Sequence, residues 1–135
     1  MGTLHVDRFG HSSAKLWPLI GPIATSREAQ KELGGPIFSD DHTIWFVARD
    51  GKDVVGVASV RATPKGYWLA CTYVVPARRK KGAHKKLADV RDAYIATLPK
   101  LPVMVCCRAE RWPHYKRLGF AITQERGSWV YGAKS

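Results

Sequence analysis

Runs of β-branched and aromatic residues, broken by short Gly, Pro and Asp punctuation, dominate the middle of this 135-residue chain. Residues 43–49 (Thr-Ile-Trp-Phe-Val-Ala-Arg) and 54–60 (Val-Val-Gly-Val-Ala-Ser-Val) are rich in strand formers, and Asp50-Gly51 between them supplies hairpin chemistry. A turn at residues 63–66, Thr-Pro-Lys-Gly, leads into a third such run at 67–75, which predicts three consecutive antiparallel strands. The period then changes. Ala83, Leu87, Val90, Ala93, Tyr94 and Leu98 recur at helical spacing, so a helix is expected to about Thr97, ending before Pro99. Residues 102–107 read as a buried strand, and the crossover helix before them predicts parallel pairing with the strand ending at Val75. A short helix is expected at 110–118, entered at Trp112-Pro113 with Pro in the tolerant first turn and closed by Gly119. Residues 120–125 and 128–131 complete a last hairpin across Arg126-Gly127.

The first 40 residues are patterned less sharply. Residues 3–7 alternate weakly, as a first edge strand would. Ser12 or Ser13 can cap a short helix through Leu19 and Ile20, with Pro18 limiting its regular part. Residues 26–33 read as a second helix, capped by Thr25 or Ser26 and stopped by Gly34-Gly35-Pro36. The order β-α-α-β-β-β-α-β-α-β-β describes one α/β (α+β) domain over residues 1–135, with a mixed, mostly antiparallel sheet of about 6–7 strands flanked by about 4 helices. No repeat, low-complexity tract or linker interrupts it.

Composition narrows the class. A chain of this length holds one ordinary core, and 45% apolar residues argue against disorder. It contains no run of 18 apolar residues and opens on no charged, apolar, small-residue leader, so a soluble cytoplasmic protein with no membrane partner is expected. The cysteines, Cys71, Cys106 and Cys107, are odd in number, and the adjacent pair would point to opposite strand faces. With no Cys-x-x-Cys and no clustered His, buried reduced thiols are expected, without disulfide or metal.

Charge changes the picture more. Lys and Arg number 22 against 11 Asp and Glu, a formal net charge of +11, and six of the cations fall between Arg78 and Lys86. Such a field attracts anionic ligands and polyanions. Cations spread elsewhere, among them Arg61, Arg111, Lys116, Arg117 and Arg126, suit RNA or an acidic protein, or simply keep the surface soluble.

The densest chemistry lies in Val74-Val75-Pro76-Ala77-Arg78-Arg79-Lys80-Lys81-Gly82-Ala83-His84-Lys85-Lys86-Leu87, where a β-branched run ends at Pro and passes through a basic, Gly-containing turn into a helix. A helix start offers unpaired backbone N–H groups and a partial positive charge, so this layout builds an anion site. The segment resembles motif A of the GNAT superfamily of N-acetyltransferases, a strand ending in Val-x-Pro, then Arg/Gln-x-x-Gly-x-Gly/Ala and a helix; Arg79, Gly82 and Leu87 match by position. His84 departs from the pattern, standing where a third small residue is usual, and would either crowd the cofactor or touch its phosphates. Downstream, Tyr115-Lys116-Arg117-Leu118-Gly119-Phe120 resembles the family's motif B, Tyr-x-x-x-Gly-Phe, and the resemblance spans residues 43–131.

The resemblance implies a GNAT-type sheet, acetyl-CoA as acyl donor and no metal. It implies that Arg79, Lys80, Lys81, Gly82, Ala83 and His84 wrap the donor's pyrophosphate, and that backbone near Tyr73, Val74 and Val75 pairs with its pantetheine arm. These groups would meet in an open V where the strands after Tyr73 and Cys107 splay apart. Tyr115 stands at the position facing the CoA sulfur and would protonate the departing thiolate. The base is left open: residues 67–75 contain no Glu, so Glu110, His114 or a water chain would serve. Arg108 replaces an Asn that often contacts the cofactor, and would meet a CoA phosphate or an acidic acceptor instead. The implied reaction is acetyl transfer to a primary amine on a small molecule, a protein or aminoacyl-tRNA, by a protein whose relatives are often homodimers. The alternative is an inactive GNAT-fold protein, its cofactor entry blocked by His84, that binds RNA or an acidic protein through its basic surface.

Overall fold

In the computed structural model, which describes residues 4–33 and 37–135, the period-2 segments join one sheet. Its strands are β1 (Leu4–Gly10), β2 (Thr43–Asp50), β3 (Asp53–Thr63), β4 (Gly66–Val74), β5 (Val103–Arg108), β6 (Ala121–Arg126) and β7 (Trp129–Lys134), in the spatial order β1-β2-β3-β4-β5-β7-β6. Helices α1 (Leu16–Ala24), α2 (Arg27–Leu33), α3 (Ala83–Ile95) and α4 (Trp112–Arg117) flank it. This is the expected order of elements in a mixed, mostly antiparallel sheet. The first residue expected in β1, Thr3, and the helix stop Gly34-Gly35-Pro36 lie outside the described residues.

Boundaries differ where pairing or turn chemistry overrides local pattern. β1 runs on to Gly10, because β2 offers partners from Asp50 down to Ile44. Neither serine starts α1. Ser13 instead closes the preceding turn, its carbonyl accepting from Leu16 N at 3.2 Å and its hydroxyl from Lys15 N at 3.3 Å. Pro18 then falls in the first turn of α1, where no intrahelical N–H bond is required, and the helix continues to Ala24 through Pro22. Ser26 caps α2 as expected, accepting from Ala29 N at 3.2 Å. The segment expected as one helix at 110–118 divides into a 3-10 turn, Ala109–Arg111, and α4.

Alternation along β2 explains why its run is apolar on both parities. Trp45 and Val47 face the layer of α1 and α2, while Phe46 and Ala48 face α3. Two β-bulges then invert the parity. The pairing passes from Ala48↔Gly56 to Arg49↔Val54, so Val55 is the extra residue and packs on the α3 side, while Val57 packs on the other. In β4 the pairing jumps from Ser59↔Cys71 to Val60↔Leu69, making Ala70 the extra residue. Tyr67 therefore belongs to the α3 side and Cys71 and Tyr73 to the α1/α2 side.

The second bulge falls where β4 leaves β5. These strands pair in parallel only at Tyr67↔Val103 and Trp68↔Met104, and beyond them they part. Each keeps its outer partner, β4 with β3 and β5 with β7 from Val103↔Lys134 to Arg108↔Trp129, so both strands present an unpaired edge to the gap between them. On the far side Gly132 lets Trp112 lie on β7, since a Cβ there would come within 2.6 Å of the indole ring. That contact seats the start of α4 beside the parted strands. All three cysteines are free, Cys71 and Cys107 buried, and among the described residues no helix is long and apolar enough to cross a membrane. The described residues also hold no group of three His, Cys, Asp or Glu side chains spaced for a metal.

Candidate active site

Beyond β4 the chain is pinned before it turns. Val75 N donates to Val55 O at 2.9 Å, a 3-10 turn spans Pro76–Arg78, and Arg79 returns its Nε to the Val74 carbonyl at 2.8 Å. The Arg79 guanidinium lies 5.3 Å from the centroid of the Tyr73 ring. Two residues then adopt left-handed backbone, Lys80 at φ 65° and Gly82 at φ 87°. Such turns curl successive N–H groups around a hollow. Gly82 is the N-cap of α3, provides no side-chain cap, and is followed by no acidic residue in the first turn, so the first amides of α3 keep no competing side-chain partner. A Cβ on Gly82 would meet nothing within 4 Å, which marks open space on that side.

The hollow in front of this turn is a cavity of about 410 Å³ lined by Thr72, Tyr73, Val74, Arg79, Lys80, Gly82 and His84. These residues suit a diphosphate in shape and charge. The cationic field is weaker than the sequence count, since Arg78 pairs with Asp50 at 2.8 Å, Lys85 with Asp89 at 2.7 Å and Arg79 with Glu32 at 2.6 Å. Of the other expected donor-binding residues, Val75 packs toward α1 and α2, Ala83 is buried against the sheet, and Lys81 is exposed. None of these three side chains lines the cavity.

A second cavity, about 100 Å³, occupies the V itself, between residues 69–72 of β4 and 106–108 of β5, with Tyr115, Trp129 and His84 on its walls. A third, about 240 Å³, lies between α3 and α4 and shares Tyr115 and His84. Tyr115 thus touches the space on both sides of the parted strands, and His84 stands where all three cavities meet. The Tyr115 ring sits 5.6 Å edge-on from Phe120 and 5.1 Å from His114. Burial raises its pKa above the ordinary phenol value, with the Arg91 charge opposing, so the proton is retained at neutral pH. His84, 6.2 Å from the His114 ring, has its pKa lowered by desolvation and then by that neighbour, which makes it a neutral imidazole at neutral pH.

The two residues considered for the base are not in the V. Glu110 is exposed and lines none of these three cavities, and His114 lines the space between α3 and α4. Arg108 does line the V, but its guanidinium lies 4.9 Å over the Trp129 ring, and it does not line the cavity at the Lys80–Gly82 turn.

Two residues outside the sequence reading belong to the site. Arg91 of α3 is 3% exposed, and its Nη1 donates to Cys71 O at 3.1 Å, Ser59 O at 3.3 Å and Thr72 Oγ1 at 2.8 Å, while Nε is buried with no partner among the described residues. Its spacing, four residues after buried Leu87, was a signal that an arginine occupied the apolar stripe. Glu32, at the end of α2, lines both the cavity in front of the Lys80–Gly82 turn and the V. Nothing in its surroundings in sequence marks it, because its partners lie 47 or more residues away.

No family model matches the chain, and no curated protein matches its sequence. Solved structures do match its shape. An acyl-CoA N-acyltransferase from Pseudomonas aeruginosa superposes with a TM-score of 0.79 at 14% identity, covering 98% of this chain and 100% of its own. ElaA from Escherichia coli gives 0.77, also at 14% identity, with the same coverage of both chains. The PaiA N-acetyltransferase of Thermoplasma acidophilum, solved in complex with coenzyme A, gives 0.75 at 12% identity over 98% of this chain and 99% of its own. The chain has the GNAT fold, as its two motifs implied.

Proposed function

We propose that this protein is an acetyl-CoA-dependent N-acetyltransferase that acts on a primary amine. The observation that carries the reading is the contiguity of the site: the left-handed turn at Lys80 and Gly82, the open edge of β4 and the Tyr115 phenol border adjacent cavities that share His84 as a wall. The fold shared with acyl-CoA-using proteins supports it.

Acetyl-CoA supplies a thioester whose acyl carbon an amine can attack. The chain's own groups account for the rest. The first amides of α3, with Arg79 and Lys80, bind phosphate, and the unpaired edge of β4 beyond Trp68 offers main-chain groups to an extended ligand. Just past the Ala70 bulge, residues 71 and 72 border the V, and Arg91 of α3 binds the Cys71 carbonyl and the Thr72 hydroxyl. Tyr115 keeps its proton and can deliver it to a leaving thiolate. The acceptor reaches the V from the side of α2, where Glu32, Arg108 and Trp129 form its wall. An acceptor amine carried on RNA or on an acidic protein suits the +11 charge of the chain.

The test is calorimetric titration of the purified protein with acetyl-CoA and with CoA, at moderate salt so that diffuse attraction to a cationic surface is screened. Saturable micromolar binding is expected, and absence of binding would overturn the reading.

A further inference from the structure

Among the described residues, Glu32 contributes the sole carboxylate lining either the phosphate-turn cavity or the V. Its Oε2 accepts from Arg79 Nη2 at 2.6 Å and its Oε1 lies 3.8 Å from Arg111 Nη2, so one side chain spans the mouth of the site from the phosphate turn to the start of α4. The Arg79 side chain is held at its other end, where Nε donates to Val74 O, which leaves Nη2 as the part of the fork that Glu32 occupies. That guanidinium also borders the hollow in front of the α3 amides.

A carboxylate and a phosphate compete for the same guanidinium hydrogen bonds. The contest is unequal, because the Glu32 side chain is 29% exposed and the Arg79 side chain 39%, and ion pairs of that exposure are weak. A diphosphate seated at the helix start carries more charge and gains the backbone amides as well. We infer that Glu32 is an internal stand-in for the donor's phosphate: it holds Arg79 in the free protein and is displaced when a diphosphate binds. The inference rests on the acetyltransferase reading for the identity of the donor. The displaced carboxylate is released beside Cys71, Thr72 and Tyr115, which share the V with it.

The exchange is tested by titrating CoA, and separately inorganic pyrophosphate, into the full chain, Glu32→Gln, Arg79→Gln and the double variant, at one moderate salt concentration. Glu32→Gln is expected to bind CoA about 2- to 5-fold more tightly than wild type, the range that loss of one exposed competing ion pair allows. Arg79→Gln should bind more weakly, and adding Glu32→Gln to it should restore little, because the competitor then has nothing to compete for. Unchanged or weaker CoA binding by Glu32→Gln overturns the inference. So does an equal gain in the Arg79→Gln background. If no form binds CoA but pyrophosphate binds with the same pattern, the exchange stands and the donor reading falls. If the wild type binds neither, both fall.

Discussion

The Arg91 guanidinium on α3 reaches through the layer beneath the sheet to the carbonyl of Cys71, 3.1 Å away and one residue past the Ala70 bulge. Arginine is rarely so enclosed without a carboxylate, and the reason here is main-chain accounting. The ladder is irregular at the Ser59↔Cys71 position beside the bulge, and one Nη1 serves both Ser59 O and Cys71 O there. Burial lowers the Arg91 pKa, yet the group stays charged at any ordinary pH.

Replacing Arg91 by Met tests that accounting. Two buried carbonyls lose their donor, at about 1–3 kcal/mol each, while a desolvated charge with an unpartnered Nε is relieved. Loss should win, since each buried carbonyl left without its donor bears its full desolvation cost, for a net destabilisation of about 1–3 kcal/mol in urea unfolding. Equal stability of the variant would mean that β4 can close on β5 without help.

Tyr115→Phe keeps the ring between His114 and Phe120 and removes only the hydroxyl. Turnover should fall about 100-fold, typical of a lost general acid, with CoA affinity changed by less than about 2-fold. Because burial holds the phenol pKa above its ordinary 10.0, the wild-type rate should not decline through Tyr115 ionisation below pH 10. Unchanged turnover in the variant would move the acid role elsewhere.

How far such a site can be read from sequence depends on the range of the interaction. The alternation of Trp45, Phe46, Val47 and Ala48 reports a strand buried on both faces, and the Pro-to-helix segment at residues 76–83 reports the turn and the helix start, because each is encoded within a few residues. The bulges at Val55 and Ala70 are not legible, since they follow from how three strands register against one another. Placing β7 between β5 and β6 is likewise a choice made by the sheet. Arg91 stands out as a charge in an apolar helical stripe, but its partners on β3 and β4 appear only in three dimensions. Glu32 looks like any surface glutamate until α2 is laid against the phosphate turn.

Asp40 offers a test of the loop that leads into β2. Its carboxylate accepts from Arg61 Nε at 2.8 Å, His42 N at 2.9 Å and Thr43 Oγ1 at 3.1 Å. The bond from Arg61, aided by the other two, lowers its pKa from 3.8 to about 2. A depressed carboxylate pKa contributes stability that is present above the unfolded value and disappears as pH falls through the folded one. Asp40→Asn should therefore be less stable than wild type at pH 7, with the difference shrinking between pH 4 and pH 2. A constant difference across that window, measured by thermal unfolding, would remove the charge from the explanation.

His84 lines the cavity in front of the Lys80–Gly82 turn, the V and the space between α3 and α4, so its ring borders each space that a ligand joining the turn to Tyr115 would occupy. Crowding is then the dominant effect at neutral pH, where the lowered pKa leaves the imidazole uncharged and unable to attract phosphate. His84→Ala, which also favours the helix, should bind CoA several-fold more tightly at pH 8. Acidification reverses the balance in the wild type alone. Below 6.5, as the ring gains its proton, a new positive charge appears beside the turn, and wild-type affinity should rise relative to the variant. The ratio of the two affinities, titrated from pH 8 to pH 5, is the measurement. A ratio favouring the wild type already at pH 8 would show that the neutral ring contacts the donor instead of crowding it.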